Sequence, residues 1–225
     1  MSLAHRAFLV GLKLLIRALC RIDAAQLGRV PARGPLILVT NHINILEVPL
    51  LYLYLLPRPV TCFVASNRWE NPFFRWLLNG LDMIPLHRGQ ADLDALRQGR
   101  KRLDDGDIVI IAPEGTRSRT GQLQRAKAGV VLLAAWSRAP MLPLVYYGHE
   151  AFAENVRHLR RTDFHIAVGK PFLLRASAST LTKLVRQAMV DEIMEQLARL
   201  LPPANRGVYA SEEPVPSKYL VPLPA

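Results

Sequence analysis

The stretch Pro35-Leu36-Ile37-Leu38-Val39-Thr40, followed by Asn41-His42-Ile43-Asn44-Ile45-Leu46-Glu47 and then Val48-Pro49, decides the architecture. Residues 35–40 form a short, unbroken aliphatic run, the pattern of a strand covered on both faces. Pro49 marks the next element, because proline suits the first turn of a helix and costs a hydrogen bond deeper inside. We therefore expect a helix from near Val48, with His42 to Glu47 on the strand-to-helix connection. On one continuous helix, residues five apart point about 140° away from each other, so His42 and Glu47 would not meet. Across a turn they can, with one imidazole nitrogen donating to the carboxylate and the other free to accept a proton. Two plainer readings stand beside this one. His42 is also compatible with an ordinary hydrogen-bonded surface histidine, and Asn44 with Glu47 three residues on matches a capping box.

The same strand-then-helix alternation continues outward. Apolar runs predict strands at 35–40, 60–65, 83–86, 108–112, 141–147 and 164–168. Helices are expected at Val48 to Leu56, from Asn71-Pro72 to Gly80, at 91–103, from Lys127 to Arg138 and at 181–201. This is an α/β pattern: a single layered domain over residues 30–201, with a mostly parallel or mixed central sheet flanked by helices. The Val48 to Leu56 helix is nearly all apolar, so buried or membrane-facing. Phe73, Phe74, Trp76, Leu77 and Leu78 suit either lipid contact or core packing. Residues 202–225 hold six prolines and no periodicity, which predicts a tail that is disordered or laid over the surface.

Ahead of the domain, residues 1–29 carry an amphipathic helix. Within 3–22, Arg6, Lys13, Arg17 and Arg21 fall within about 80° of one another at helical spacing. Leu3, Phe8, Leu9, Leu12, Leu15, Ile16 and Leu19 occupy the remaining surface. Charges through the middle argue against a membrane span and there is no signal-peptide cleavage pattern, whereas an in-plane position on an anionic bilayer fits. Packing on its own domain is the alternative. A formal charge of +11 points to an anionic partner. The basic residues are scattered and not interleaved with aromatics, which argues against nucleic acid. Cys20 and Cys62 form no C-x-x-C pair, so neither zinc nor a disulfide framework is expected, and two buried free thiols are.

Three further blocks complete a constellation. Gly80 to Gly89 ends a predicted strand at Arg88, Pro113-Glu114-Gly115-Thr116-Arg117-Ser118 follows another, and Pro140-Met141-Leu142-Pro143 opens a third. Strand ends facing the same way build one site in an α/β sheet. The ordered blocks are N-H-x-x-x-x-acid at 41–47, Arg88, E-G-T-R-S at 114–118 with Lys127-x-Gly129 behind it, and P-x-x-P at 140–143. This order resembles the lysophosphatidate (1-acylglycerol-3-phosphate) acyltransferase family over roughly residues 30–170.

The resemblance implies a membrane enzyme that moves an acyl group from coenzyme A or acyl carrier protein to lysophosphatidate, giving phosphatidate, with no cofactor or metal; the alternatives are glycerol 3-phosphate or another lysophospholipid as acceptor, or a non-catalytic membrane-surface protein on the same fold. By position, His42 would be the general base and Glu47 its orienting acid. Arg88, Arg117 and Lys127 would bind the acceptor phosphate, while Asn41, Glu114, Gly115, Thr116 and Ser118 would shape the site. The implied setting is the cytoplasmic face of a bacterial inner membrane, peripheral or monotopic. The family's usual acid at the fifth position is aspartate. The extra methylene of Glu47 requires the backbone to retreat or the hydrogen bond to come from another angle.

Overall fold

The structure, a computed structural model, describes residues 2–44, 46–87, 92–175, 181–210 and 217–224. The chain begins with α1 (Leu3–Leu19), β1 (Cys20–Asp23), β2 (Leu36–Thr40), α2 (Glu47–Leu55), β3 (Val60–Ala65), α3 (Pro72–Gly80) and β4 (Ile84–Leu86). It continues with α4 (Leu93–Asp104), β5 (Ile108–Ile111), α5 (Gly129–Ser137), β6 (Met141–Tyr147), α6 (Phe152–Arg157), β7 (Thr162–Val168), β8 (Phe172–Leu174), α7 (Lys183–Leu200) and β9 (Leu220–Pro222).

Every residue of β2 is buried, because helices cover both faces of the sheet it centres. Leu36 and Leu38 point to one side, where they pack with Leu9 and Ile16 of α1 and Leu50, Leu51 and Leu53 of α2. Ile37 and Val39 point to the other, against Leu96 and Leu103 of α4, Val130 and Leu133 of α5, and Ile193 and Leu197 of α7. The strand order is β1-β7-β6-β2-β5-β3-β4, with β8 pairing β6 and β9. β6, β2, β5, β3 and β4 run parallel, so their C-terminal ends share one edge. β7 pairs antiparallel to β6, which makes the sheet mixed.

Several boundaries differ from the sequence reading. The N-terminal helix stops at Leu19, because Cys20–Asp23 pairs in parallel with Thr162–His165. Arg21 therefore lies on a strand and leaves the helical basic row, where Arg6, Lys13 and Arg17 remain. Gly80 ends α3 as expected and also permits a close approach, since a Cβ there would lie 1.8 Å from His5 Nε2. His5 stacks on Trp76 at 4.0 Å and bonds the Trp76 carbonyl at 2.9 Å, fixing α1 on α3. The proline-rich C-terminal segment has local order. β9 extends the sheet beyond β8, and residues 203–209 form two short 3-10 turns. Cys20 and Cys62 are both buried and free.

Candidate active site

Asn41 ends β2 and fixes where the following loop leaves the sheet. Its amide acts as an extra rung: Nδ2 donates to the Tyr146 carbonyl and Oδ1 accepts from the Tyr146 N–H, both at 2.9 Å. The next residue is His42, whose side chain is 27% exposed. Its Nδ1 lies 2.6 Å from Glu47 Oε2, while Glu47 itself is 2% exposed. The five-residue spacing does close across the turn, with Glu47 as the first residue of α2.

The other oxygen, Oε1, accepts the N–H groups of Ile43 at 2.7 Å and Asn44 at 2.8 Å. The capping box is not formed, because Leu46 is the N-cap of α2 and Glu47 its first residue; Asn44 Oδ1 instead accepts the Leu46 N–H at 2.8 Å in an Asx turn. The histidine–carboxylate contact therefore uses Oε2, while Oε1 holds the backbone of the loop. Burial pushes the Glu47 carboxyl up, but hydrogen bonds from His149 and His42 outweigh it and leave the group below its ordinary value. Glu47 stays ionised and accepts from His42 Nδ1, an arrangement that leaves Nε2 without a hydrogen and able to accept a proton.

Glu114 holds the histidine from behind. Its Oε1 accepts the His42 N–H at 2.9 Å and its Oε2 the Gln124 N–H at 3.0 Å, tying the β2 loop to the β5 loop. Burial raises its carboxyl to about 7, against the pull of these bonds. The two neighbouring carboxyl groups are therefore driven apart, one ionised and one holding its proton towards neutrality. The Ser118 N–H donates to the His42 carbonyl at 2.7 Å, so the E-G-T-R-S turn lies directly against the histidine.

Gly115 sits at φ +68°, and a Cβ there would meet Lys127 Nζ at 3.4 Å, so the lysine passes over this turn. Thr116, Arg117 and Lys127 are exposed and Ser118 is buried. Arg88 lies outside the described residues; the residues before and after that segment, His87 and Asp92, are joined by a 2.9 Å bond. The structure thus brings together Asn41, His42, Glu47, Glu114, Gly115, Thr116, Arg117, Ser118 and Lys127.

Sequence reasoning did not single out His149. It follows β6, which is parallel to β2 and paired Thr40 to Leu144, so it emerges on the same edge as His42. Its Nε2 lies 3.0 Å from Glu47 Oε1. A histidine just past the C-terminal end of a strand parallel to β2 is the signal that would have found it.

Comparisons with known proteins show the family and the fold. The family model Acyltransferase matches residues 21–147. The 1-acyl-sn-glycerol-3-phosphate acyltransferase of Bacillus subtilis is 23% identical over 186 residues, 83% of this chain and 90% of that protein. That of Pseudomonas aeruginosa is 29% identical over 56% of this chain and 49% of its own length, and one from Chlamydomonas reinhardtii is 27% identical over 74% and 51%. The chain spans about half the length of these last two relatives. The crystal structure of the 1-acyl-sn-glycerophosphate (LPA) acyltransferase from Thermotoga maritima has the same fold, with a TM-score of 0.59 and 18% identity over 88% of this chain and 77% of that one. With more than half of its residues matched by the family model and the histidine-carboxylate pair built as described, the chain belongs to the acyltransferase family.

Proposed function

We propose that this enzyme transfers an acyl group from a thioester of coenzyme A or acyl carrier protein to the free hydroxyl of lysophosphatidate, giving phosphatidate for phospholipid synthesis. The observation that carries the chemistry is the 2.6 Å bond from His42 Nδ1 to Glu47, which leaves Nε2 to face the acceptor. Nε2 takes the hydroxyl proton as that oxygen attacks the thioester carbonyl. A C–O bond forms, the C–S bond breaks, and the proton passes to the leaving thiolate. The imidazolium that forms between these steps is stabilised by the ionised Glu47 beneath it.

The acceptor follows from the names of the relatives and from charge. Arg117 stands exposed on the turn that touches His42, and the exposed Lys127 passes over that turn, where a guanidinium and an ammonium suit a phosphate monoester. Arg88 is assigned to the same group by its place in the sequence.

A lysolipid acceptor requires an interfacial enzyme. No described helix is long and apolar enough to cross a membrane. The outer face of α1 nevertheless exposes Leu3 by 83%, Val10 by 61% and Leu14 by 63%, one stripe at helical spacing with Arg6 and Arg17 beside it. Phe73 and Trp76 of α3 are also exposed, and Phe8, on another side of α1, meets both edge-on at 5.9 Å. Apolar side chains flanked by arginines suit the headgroup region of an anionic bilayer. The test is acyl transfer to lysophosphatidate in mixed micelles by wild type and His42→Ala. The expected loss in the variant is on the order of 100- to 10,000-fold. A variant as active as wild type would refute the mechanism, and an inactive wild type would refute the acceptor.

A further inference from the structure

We infer that His149 is a positioning residue for acyl transfer: by donating from Nε2 to Glu47 Oε1 it fixes the rotamer in which the other carboxylate oxygen holds His42. The inference rests on the reading of His42 as the base. Its ground is a three-member array, half-buried His42 on buried Glu47 and His149, closed by contacts of 2.6 Å and 3.0 Å.

The His149 side chain is fully buried, and its Nδ1 has no hydrogen-bond partner among the described residues. A ring serving only to fill space gains nothing from a polar edge there, since an unpaired buried nitrogen is a cost. What the edge supplies is the Nε2 hydrogen. Glu47 is ionised and acts as an acceptor, so the shared hydrogen belongs to the imidazole and His149 carries it on Nε2. The bare Nδ1 is then an unpaired acceptor, whereas a ring protonated on both nitrogens would bury an N–H with nothing to receive it.

The ring is held from all sides. It lies 4.2 Å from the Phe164 ring and 6.3 Å from that of Tyr146, both fully or almost fully buried. Its carbonyl accepts from Phe152 N–H at 3.1 Å and from Asn44 Nδ2 at 3.5 Å, so the turn after β6 also touches the loop that carries His42.

The array gives the longer acid a use. A glutamate at the first residue of α2 reaches far enough for Oε1 to collect the Ile43, Asn44 and His149 hydrogens while Oε2 meets His42. Such a carboxylate has little freedom to rotate, and the imidazole it orients is held accordingly.

The experiment measures kcat and acceptor KM for His149→Phe, His149→Gln and His149→Asn, with thermal melts to establish folding. Glutamine places an amide nitrogen near the position of Nε2, and asparagine places it near Nδ1, on the wrong side of the ring. We expect His149→Phe to lower kcat about 10- to 100-fold with KM nearly unchanged. Glutamine should restore most of the loss and asparagine should not. In a Glu47→Ala background, His149→Phe should cause no further loss beyond about twofold, because its effect runs through the carboxylate.

Wild-type kcat in His149→Phe, or an equal loss with and without Glu47, would overturn the inference. If His149→Phe does not fold, the comparison of glutamine with asparagine decides, and equal activities overturn it. Nitrogen NMR of labelled imidazoles reads the array without any substrate. A His149 ring with its hydrogen on Nδ1 would refute the inference even in an active enzyme. If wild type fails on lysophosphatidate, the proposed acceptor falls while the array remains testable by NMR.

Discussion

Glu47→Asp replaces the acid of this chain with the one usual in the family, and it should be harmful here. Removing one methylene withdraws the carboxylate by about 1.3 Å, since a C–C bond is about 1.5 Å long and the chain is not fully extended. Contacts now at 2.6 Å to His42 and 3.0 Å to His149 would open to about 4 Å, beyond hydrogen bonding. The helix could slide to compensate only by dragging Leu50 and Leu51, each fully buried, out of register with the sheet. Close-packed interiors resist such shifts. A hydrogen bond to a charged group contributes about 1.5–3 kcal/mol, which is about 10- to 150-fold in rate if the His42 bond is lost in the transition state. The assay is steady-state transfer under saturating acceptor, with the expected loss in kcat and little change in KM. Activity within about twofold of wild type would refute the reasoning, because it would mean that the backbone adjusts freely and that the reach of glutamate has no function.

The remaining predictions address the other parts of the site. Arg117→Ala should raise the KM for lysophosphatidate about tenfold or more with a smaller effect on kcat, and an unchanged KM would remove Arg117 from the phosphate site. Glu114 has a folded-state value of about 7 against an ordinary 4.5, so it holds its proton more tightly when folded. Its contribution to stability is complete below pH 4.5 and is lost as pH rises through 7. Denaturation midpoints from about pH 5 to 9 should therefore fall more steeply in wild type than in Glu114→Gln, and parallel curves would refute the assignment. Val10→Glu with Leu14→Glu should weaken sedimentation with anionic vesicles without lowering the melting temperature, since both side chains are more than half exposed. Asn205→Ala should loosen the loop behind Glu114. Asn205 Nδ2 bonds both the Gly121 carbonyl at 3.0 Å and Glu150 Oε1 at 2.8 Å, and hydrogen exchange at Leu123 and Gln124 would report the change.

What the sequence revealed and what it hid follow from the range of the interactions. The strands at 60–65 and 141–147 were legible to the residue because helices cover both faces of the sheet, leaving continuous apolar runs. Residues 20–22 read as the end of a helix, since Cys20–Asp23, four residues with two charges, carries no strand pattern of its own and becomes a strand only beside Thr162–His165. β9 was hidden for the same reason, its order coming from pairing with Phe172–Leu174.

The site divides in the same way. His42 and Glu47 are five residues apart, and Glu114 to Ser118 form one turn, so local spacing exposes both groups. His149 lies 102 residues from the carboxylate it bonds, and nothing adjacent in the chain marks it. The substitution of glutamate for aspartate was visible, but its meaning was not. Read locally, an extra methylene at residue 47 is a geometric fault to be absorbed. In the folded chain it is the length that lets one carboxylate serve two histidines and two backbone N–H groups. The acid and its second histidine therefore meet as one unit, joining the start of α2 to the turn after β6.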